Sequence, residues 1–187
     1  MTGVVLAGGR SRRMGKDKCF LQWRGQALIE HSIDVLKTFT SRIVISANDT
    51  GYNDLGHKVI NDLFPGTGPL GGIATVMTEC DDDVFAFLPC DMPFVVPELF
   101  GFLLSFKDEN QAVVPVFDGN VEPLVLIADK TVLTPAKEML ELKKFKILDF
   151  LNSVKTAFVN IEPSLNFYSP VLFANINTPE DYNALQG

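Results

Sequence analysis

The stretch Thr2-Gly3-Val4-Val5-Leu6-Ala7-Gly8-Gly9-Arg10-Ser11-Arg12-Arg13-Met14-Gly15-Lys16-Asp17-Lys18 decides the fold. A short, β-branched-rich apolar run stops at a glycine pair, which reads as a buried strand ending in a turn. Five of the 16 Lys and Arg residues fall between positions 10 and 18, in a chain whose net charge is -7. Such local charge reversal beside a glycine-rich turn suits a polyphosphate. Glycines let backbone N–H groups approach the oxygens, and Arg and Lys neutralise them. A P-loop is refused, because five residues separate Gly9 from Gly15 where that motif has four, and Asp17 replaces its magnesium-binding hydroxyl.

Working outward, apolar runs alternate in type. Helical spacing recurs over Ala27 to Phe39, Arg42 to Ala47 and His57 to Ile60 are strand-like, and a helix carries Leu70, Ile73 and Met77. Val84 to Leu88 is uninterrupted, as for a strand covered on both faces, and Leu99, Leu103 and Phe106 follow Pro97 at helical spacing. Ala112 to Phe117 and Val121 to Ala128 read as two strands across the turn Asp118-Gly119-Asn120. Helices are expected around Leu133–Leu140 and Ile147–Val154, strands over Thr156–Ile161 and Val171–Ile176, and a last helix opening at Thr178.

Strand–helix alternation through the first hundred residues implies parallel strands with crossover helices. The expected fold is a three-layer α/β/α, mostly parallel sheet with a hairpin-containing second half. We read residues 1–187 as a single domain, with a nucleotide-binding half to about 107 and an acceptor half from about 108. Hydrophobic residues make up 47% and charged residues 21%, enough for a sizeable core. The acidic balance argues against nucleic acid and anionic membranes as partners. The first residues show no signal peptide, and no run reaches the roughly 18 apolar residues of a membrane span, so a cytoplasmic location is expected. Cys19, Cys80 and Cys90 have no metal spacing and read as ordinary small or buried residues.

Ligands of such sheets bind outside the carboxyl ends of the strands. The strand at 84–88 is followed by Pro89-Cys90-Asp91-Met92-Pro93, a carboxylate held stiffly between two prolines. Magnesium favours one or two carboxylates plus phosphate oxygens, so Asp91 is the metal-ligand candidate. Ser46-Ala47-Asn48 and Asp62 complete the set of strand-end groups. Each alone is a turn residue, but together they could line one crevice. Asp81-Asp82-Asp83 precedes its strand and reads as a solvated turn at the wrong end. Gly66-Thr67-Gly68-Pro69-Leu70-Gly71 satisfies G-x-G-x-x-G but does not follow the first strand, so no dinucleotide is assigned.

The run Leu-Ala-Gly-Gly-x-Ser-x-Arg-Met-Gly-x-Asp-Lys at 6–18, Gly68-Pro69-Leu70-Gly71-Gly72-Ile73, Pro89-Cys90-Asp91-Met92-Pro93 and Asn175-Ile176-Asn177-Thr178-Pro179-Glu180 together resemble the molybdenum cofactor guanylyltransferase (MobA) family. The resemblance runs in order over nearly the whole chain. It implies a Rossmann-like nucleotidyltransferase fold and transfer of GMP from GTP to the molybdopterin cofactor, with magnesium. It also implies that Leu6, Ala7, Gly8 and Gly9 bind the nucleotide, that Lys18 meets the phosphates and that Asp62 meets the nucleotide; one or more of Arg10, Arg12, Arg13 and Lys16 would join Lys18 in offsetting charge on the pyrophosphate. Asp91 then serves magnesium and nucleotide alike. The family often has Asn where Ser46 stands, so the contact falls to Ser46 or to Asn48. Asn175 and Asn177 lie on the pterin side, although Thr178-Pro179-Glu180-Asp181 is also an ordinary helix cap. Alternative readings on the same fold are CTP-dependent transfer, transfer to a sugar phosphate, or a non-catalytic nucleotide-binding assembly role. Transient contacts with cofactor-delivery proteins or molybdoenzyme apoproteins are compatible with all of these.

Overall fold

In the computed structural model, residues 1–7, 18–48, 50–176 and 181 are described. Ten strands are assigned among them: β1 (Thr2–Leu6), β2 (Gln22–Trp23), β3 (Gln26–Ala27), β4 (Arg42–Ser46), β5 (Lys58–Ile60), β6 (Val84–Pro89), β7 (Ala112–Phe117), β8 (Asn120–Val121), β9 (Leu126–Asp129) and β10 (Thr156–Asn160). Five α-helices accompany them: α1 (Leu28–Lys37), α2 (Pro69–Glu79), α3 (Pro97–Leu104), α4 (Leu133–Glu141) and α5 (Ile147–Ser153).

The main sheet has the order β10-β7-β9-β6-β1-β4-β5, with β8 added on β7. β1 pairs in parallel with both β4 and β6, β4 with β5, and β7 with β10. β9 runs antiparallel between β6 and β7, so the second half of the chain enters the same sheet as the first. The expected mostly parallel three-layer architecture is the one observed.

Strand alternation explains the layers. Val5, Ile43, Ile45 and Leu88 pack on one face against Ile29, Ile33 and Leu36 of α1 and Leu99 and Leu103 of α3. Their neighbours Val4, Val44, Phe85 and Phe87 pack on the other face against Leu70, Ile73 and Met77 of α2 and against Ala136 and Phe150 of α4 and α5. Strands covered on both faces must be apolar at every position, which is why the run at 84–88 carries no polar residue.

Several local expectations are corrected. Val171–Ile176 is not a strand: Leu172 N–H donates to Ser169 O at 3.0 Å and Ala174 N–H to Val171 O at 2.9 Å, so the chain turns there. A short apolar run without periodicity cannot separate the two cases. The strand expected at 121–128 is divided, because Pro123 has no N–H to give a ladder and the segment 122–125 bulges between β8 and β9. The small hairpin β2–β3 was not foreseen. Arg24 and Gly25, with φ of 50° and 83°, make its two-residue turn. The helix expected from Thr178 falls outside the described residues, apart from the helical Asp181.

Candidate active site

Strand order reverses between β1 and β6, and the carboxyl ends at such a switch point are where open α/β sheets hold their ligands. The ladder runs one residue beyond each strand there. Ala7 N–H donates to Ser46 O at 3.0 Å, Ala47 N–H to Ile60 O at 3.1 Å, and Cys90 N–H to Leu6 O at 3.1 Å. Leu6, Ser46, Ile60 and Pro89 therefore lie level across four adjacent strands. At the usual interstrand spacing, the groups that follow them span about 14 Å.

Lys18 and Asp91 meet at this switch point. Lys18 opens a one-turn 3₁₀ helix, Lys18–Phe20, and its Nζ lies 2.5 Å from Asp91 Oδ2. Both side chains remain partly open to solvent, at 18% and 16%. The carboxylate thus sits where part of its charge is already offset and where a ligand can still reach it. Ile176 N–H donates to Asp91 O at 2.9 Å, which seats the segment carrying Asn175 directly against the Asp91 backbone. Ile176 is then buried with Trp23 and Leu28, beside Phe94.

Farther along the row, Asp62 is braced. Its Oδ1 accepts from Phe64 N–H at 2.8 Å and from the Thr75 hydroxyl at 3.2 Å, while its own N–H donates to Asn48 Oδ1 at 2.8 Å. Asn48 and Asp62 are therefore one unit. Ser46 is buried on the level below them, and a Cβ built on Gly72 would meet its Oγ at 3.1 Å. The first turn of α2 closes over Ser46, which suits a packing residue, whereas exposed Asn48 stands at the crevice rim. α2 opens at Gly68, whose φ of 69° only glycine adopts readily, followed by Pro69. A Cβ on Gly71 would fall 2.9 Å from Phe64 O, so the motif glycines here serve a tight loop-to-helix approach.

The structure brings Leu6, Ala7, Lys18, Ser46, Asn48, Asp62, Asp91 and Asn175 to one end of the sheet. Gly8, Gly9, Arg12, Arg13 and Asn177 lie outside the described residues. Tyr52 carried no signal in the sequence reading: its hydroxyl donates to Ala7 O at 3.2 Å and pins the residue that follows β1. Glu122 was missed as well. It lies in the bulge between β8 and β9, its N–H donates to Pro115 O, and no described residue pairs with its carboxylate. Burial alone pushes that carboxyl above its usual range. The Glu-Pro pair interrupting an apolar run was the available signal.

Cys19 and Cys90 also differ from expectation. They form a disulfide, with Cα atoms 5.7 Å apart, and only Cys80 remains as a free, buried thiol among the described residues. Asp82 is not merely solvated either. It accepts from the Thr2 hydroxyl at 2.6 Å and pairs with Arg42 at 3.1 Å and with the terminal amine at 3.2 Å.

A divalent cation fits this donor set only in part-protein form. Among the described residues no cluster of three or more acidic, His or Cys side chains could cage one, whereas a lone strand-end carboxylate suits magnesium that keeps substrate phosphates and water.

A three-layer sheet with a Lys–Asp pair at its switch point, and a glycine-rich basic segment next in sequence after β1, defines a nucleotidyltransferase. The family model of the MobA-like NTP transferase domain matches residues 3–155. A probable molybdenum cofactor guanylyltransferase of Carboxydothermus hydrogenoformans is 34% identical over 99% of this chain and 94% of its own. A molybdenum cofactor guanylyltransferase of Shewanella baltica is 38% identical over 97% of this chain and 93% of its own. The solved molybdopterin-guanine dinucleotide biosynthesis protein A of Archaeoglobus fulgidus superposes with a TM-score of 0.82 at 26% identity, covering 99% of this chain and 96% of its own. The chain belongs to the MobA-like NTP transferase family.

Proposed function

We propose that this protein transfers GMP from GTP to the molybdenum–molybdopterin cofactor, giving the guanine dinucleotide form and pyrophosphate. The observation that carries the reading is the Lys18–Asp91 pair at the β1/β6 switch point, with Ile176, the neighbour of Asn175, bonded to the Asp91 backbone. Full-length similarity to guanylyltransferases supports the choice of base and acceptor.

The acceptor phosphate attacks the α-phosphorus of GTP in line. A new P–O bond forms, the bond to the bridging oxygen breaks, and pyrophosphate leaves with the electron pair. The attacker is already an anion, so no strong general base is needed, and neither His31 nor His57 is asked to supply one. The protein contributes position and charge. Lys18 turns its ammonium from Asp91 to the phosphates, where Arg12 and Arg13 join it in offsetting charge on the leaving group. Magnesium held by Asp91, phosphate oxygens and water would supply further neutralisation at the α-phosphate. Asp62 and Asn48 form the nucleotide end of the row, and Leu6 to Gly9 bind the nucleotide. Asn175, Asn177 and Glu122, whose carboxylate no described residue pairs with, serve the acceptor.

Pyrophosphate release from each of the four nucleoside triphosphates, with magnesium and with or without molybdenum-loaded molybdopterin, tests the proposal. Release from GTP alone, dependent on the pterin, is expected. Release from CTP would reassign the base, release with a sugar phosphate would reassign the acceptor, and tight GTP binding without release would favour an assembly role.

A further inference from the structure

Lys18 and Asp91, the ion pair at the centre of the site, each have a cysteine as the next or preceding neighbour in the chain: Cys19 follows Lys18, and Cys90 precedes Asp91. Those two cysteines are bonded to each other across 71 residues of sequence. One short patch is thus tied twice, once by the sulfurs and once by Lys18 Nζ on Asp91 Oδ2 at 2.5 Å. No other described cysteine takes part, because Cys80 lies beyond the opposite end of β6 and its thiol is free.

We infer that Cys19 and Cys90 form a thiol–disulfide modification site that gates the Lys18–Asp91 pair, closed when bridged and open as the dithiol. The inference rests on the transfer reading above for what the open pair does. With the ammonium on the carboxylate, Asp91 is neutralised and Lys18 is occupied. Productive binding needs the two charges to part, Lys18 toward phosphates and Asp91 toward cation and substrate. Parting is eased if the Lys18–Phe20 turn can shift from the end of β6, and the bridge forbids that shift.

Besides the sulfurs and the Lys18–Asp91 pair, the turn is held by Leu21 N–H on Lys18 O at 3.1 Å, by Leu28 N–H on Leu21 O at 2.9 Å and by the Phe20 ring against Tyr52, with centroids 5.0 Å apart; of these ties the covalent bridge alone cannot yield without chemistry. Both cysteines are almost fully enclosed, at 1% and 3% exposure, so the reaction partner is a small molecule and exchange is slow. In opening, a small dithiol gives up two electrons and two protons. The Cys19–Cys90 S–S bond breaks, each sulfur takes a proton, and the dithiol leaves as its own disulfide. Closing is the reverse, with a small-molecule disulfide as oxidant.

The test equilibrates the full chain with reduced or oxidised dithiothreitol, then reads three things. Alkylation after denaturation should count three reactive thiols in the reduced protein and one in the oxidised. GTP- and pterin-dependent pyrophosphate release should fall about tenfold on oxidation, the size of a typical coupling between linked equilibria, and return on reduction. Cys19→Ser should remove the redox dependence, and because the first two readings need only the unaltered chain, a poorly folding variant does not blunt the test. Three thiols under oxidation, or equal turnover in both states, overturns the inference. If even the reduced protein releases no pyrophosphate, the transfer reading fails. The inference then stands or falls on amide exchange: slower exchange of Leu21 and Cys90 in the bridged form supports it, and equal exchange overturns it.

Discussion

Lys18 and Asp91 are ion-pair partners at the end of the sheet, and the proposed transfer needs them to part. Each partly neutralises the other at 2.5 Å, Asp91 just beyond the end of β6 and Lys18 at the start of its 3₁₀ turn. Replacing either by Ala should lower kcat by about 10²–10³, the usual loss for one charge-stabilising contact in a water-poor site. The double variant should lose little more than the worse single one, because groups that work as a unit are not additive. Steady-state kinetics of the three variants checks this, with the thermal midpoint confirming the fold. Near-normal rates in either single variant, or losses that multiply in the double, would contradict the assignment. Both residues were legible in sequence, since one closes a basic glycine-rich turn and the other is clamped by prolines after an apolar strand. The sulfur bridge beside them was not. Three cysteines with no regular spacing carry no pairing signal, and Cys19 meets Cys90 only because the Lys18–Phe20 turn folds back on the end of β6 across 71 residues of sequence. Ser46 and Asn48 could not be ranked from sequence, because only the seating of α2 over Ser46 and the bond from Asp62 to Asn48 separate them.

At the scale of elements, the strands that carry the site are anchored at their opposite ends. Asp82, just before β6, accepts from Thr2 at the start of β1 and pairs with Arg42 at the start of β4. One carboxylate thus registers three adjacent strands whose far ends form the crevice. The Thr2 hydroxyl bond first, then the terminal amine and Arg42, hold its carboxyl below the ordinary value of 3.8 against the opposing pull of burial. A depressed folded-state value means stability that is fully present above the unfolded value and is lost as pH falls through the folded one. Asp82→Asn should therefore cost on the order of 1 kcal/mol at neutral pH, with the difference from the unaltered chain shrinking below pH 3.8. Denaturant unfolding of both proteins across that range measures it, and a pH-independent difference would contradict the account. Position before the strand was legible from sequence. The partners were not, because Thr2 and Arg42 are 80 and 40 residues away. The false strand at 171–176 has a similar cause: a β-branched apolar run becomes buried by docking Ile176 on Asp91, and no local pattern reports such docking.

At the scale of the molecule, one sheet joins what the sequence divides into a nucleotide half and an acceptor half. The insertion of β9 between β6 and β7 brings the Glu122 bulge and the Asn175 segment to the same end as Lys18 and Asp91. Alternating apolar runs made the parallel half legible. The reversed strand was readable only as part of a hairpin, since its place in the sheet depends on long-range pairing. The central claim is that one crevice holds a nucleotide and a pterin phosphate together and joins them through the α-phosphorus. The most direct measurement follows the label from GTP carrying ³²P at the α-position, and separately at the γ-position, in the presence of molybdenum-loaded molybdopterin and magnesium. The account predicts that the α-label moves into the pterin product while the γ-label leaves entirely as pyrophosphate. Release of the γ-label as orthophosphate, with no α-label in the pterin, would contradict it.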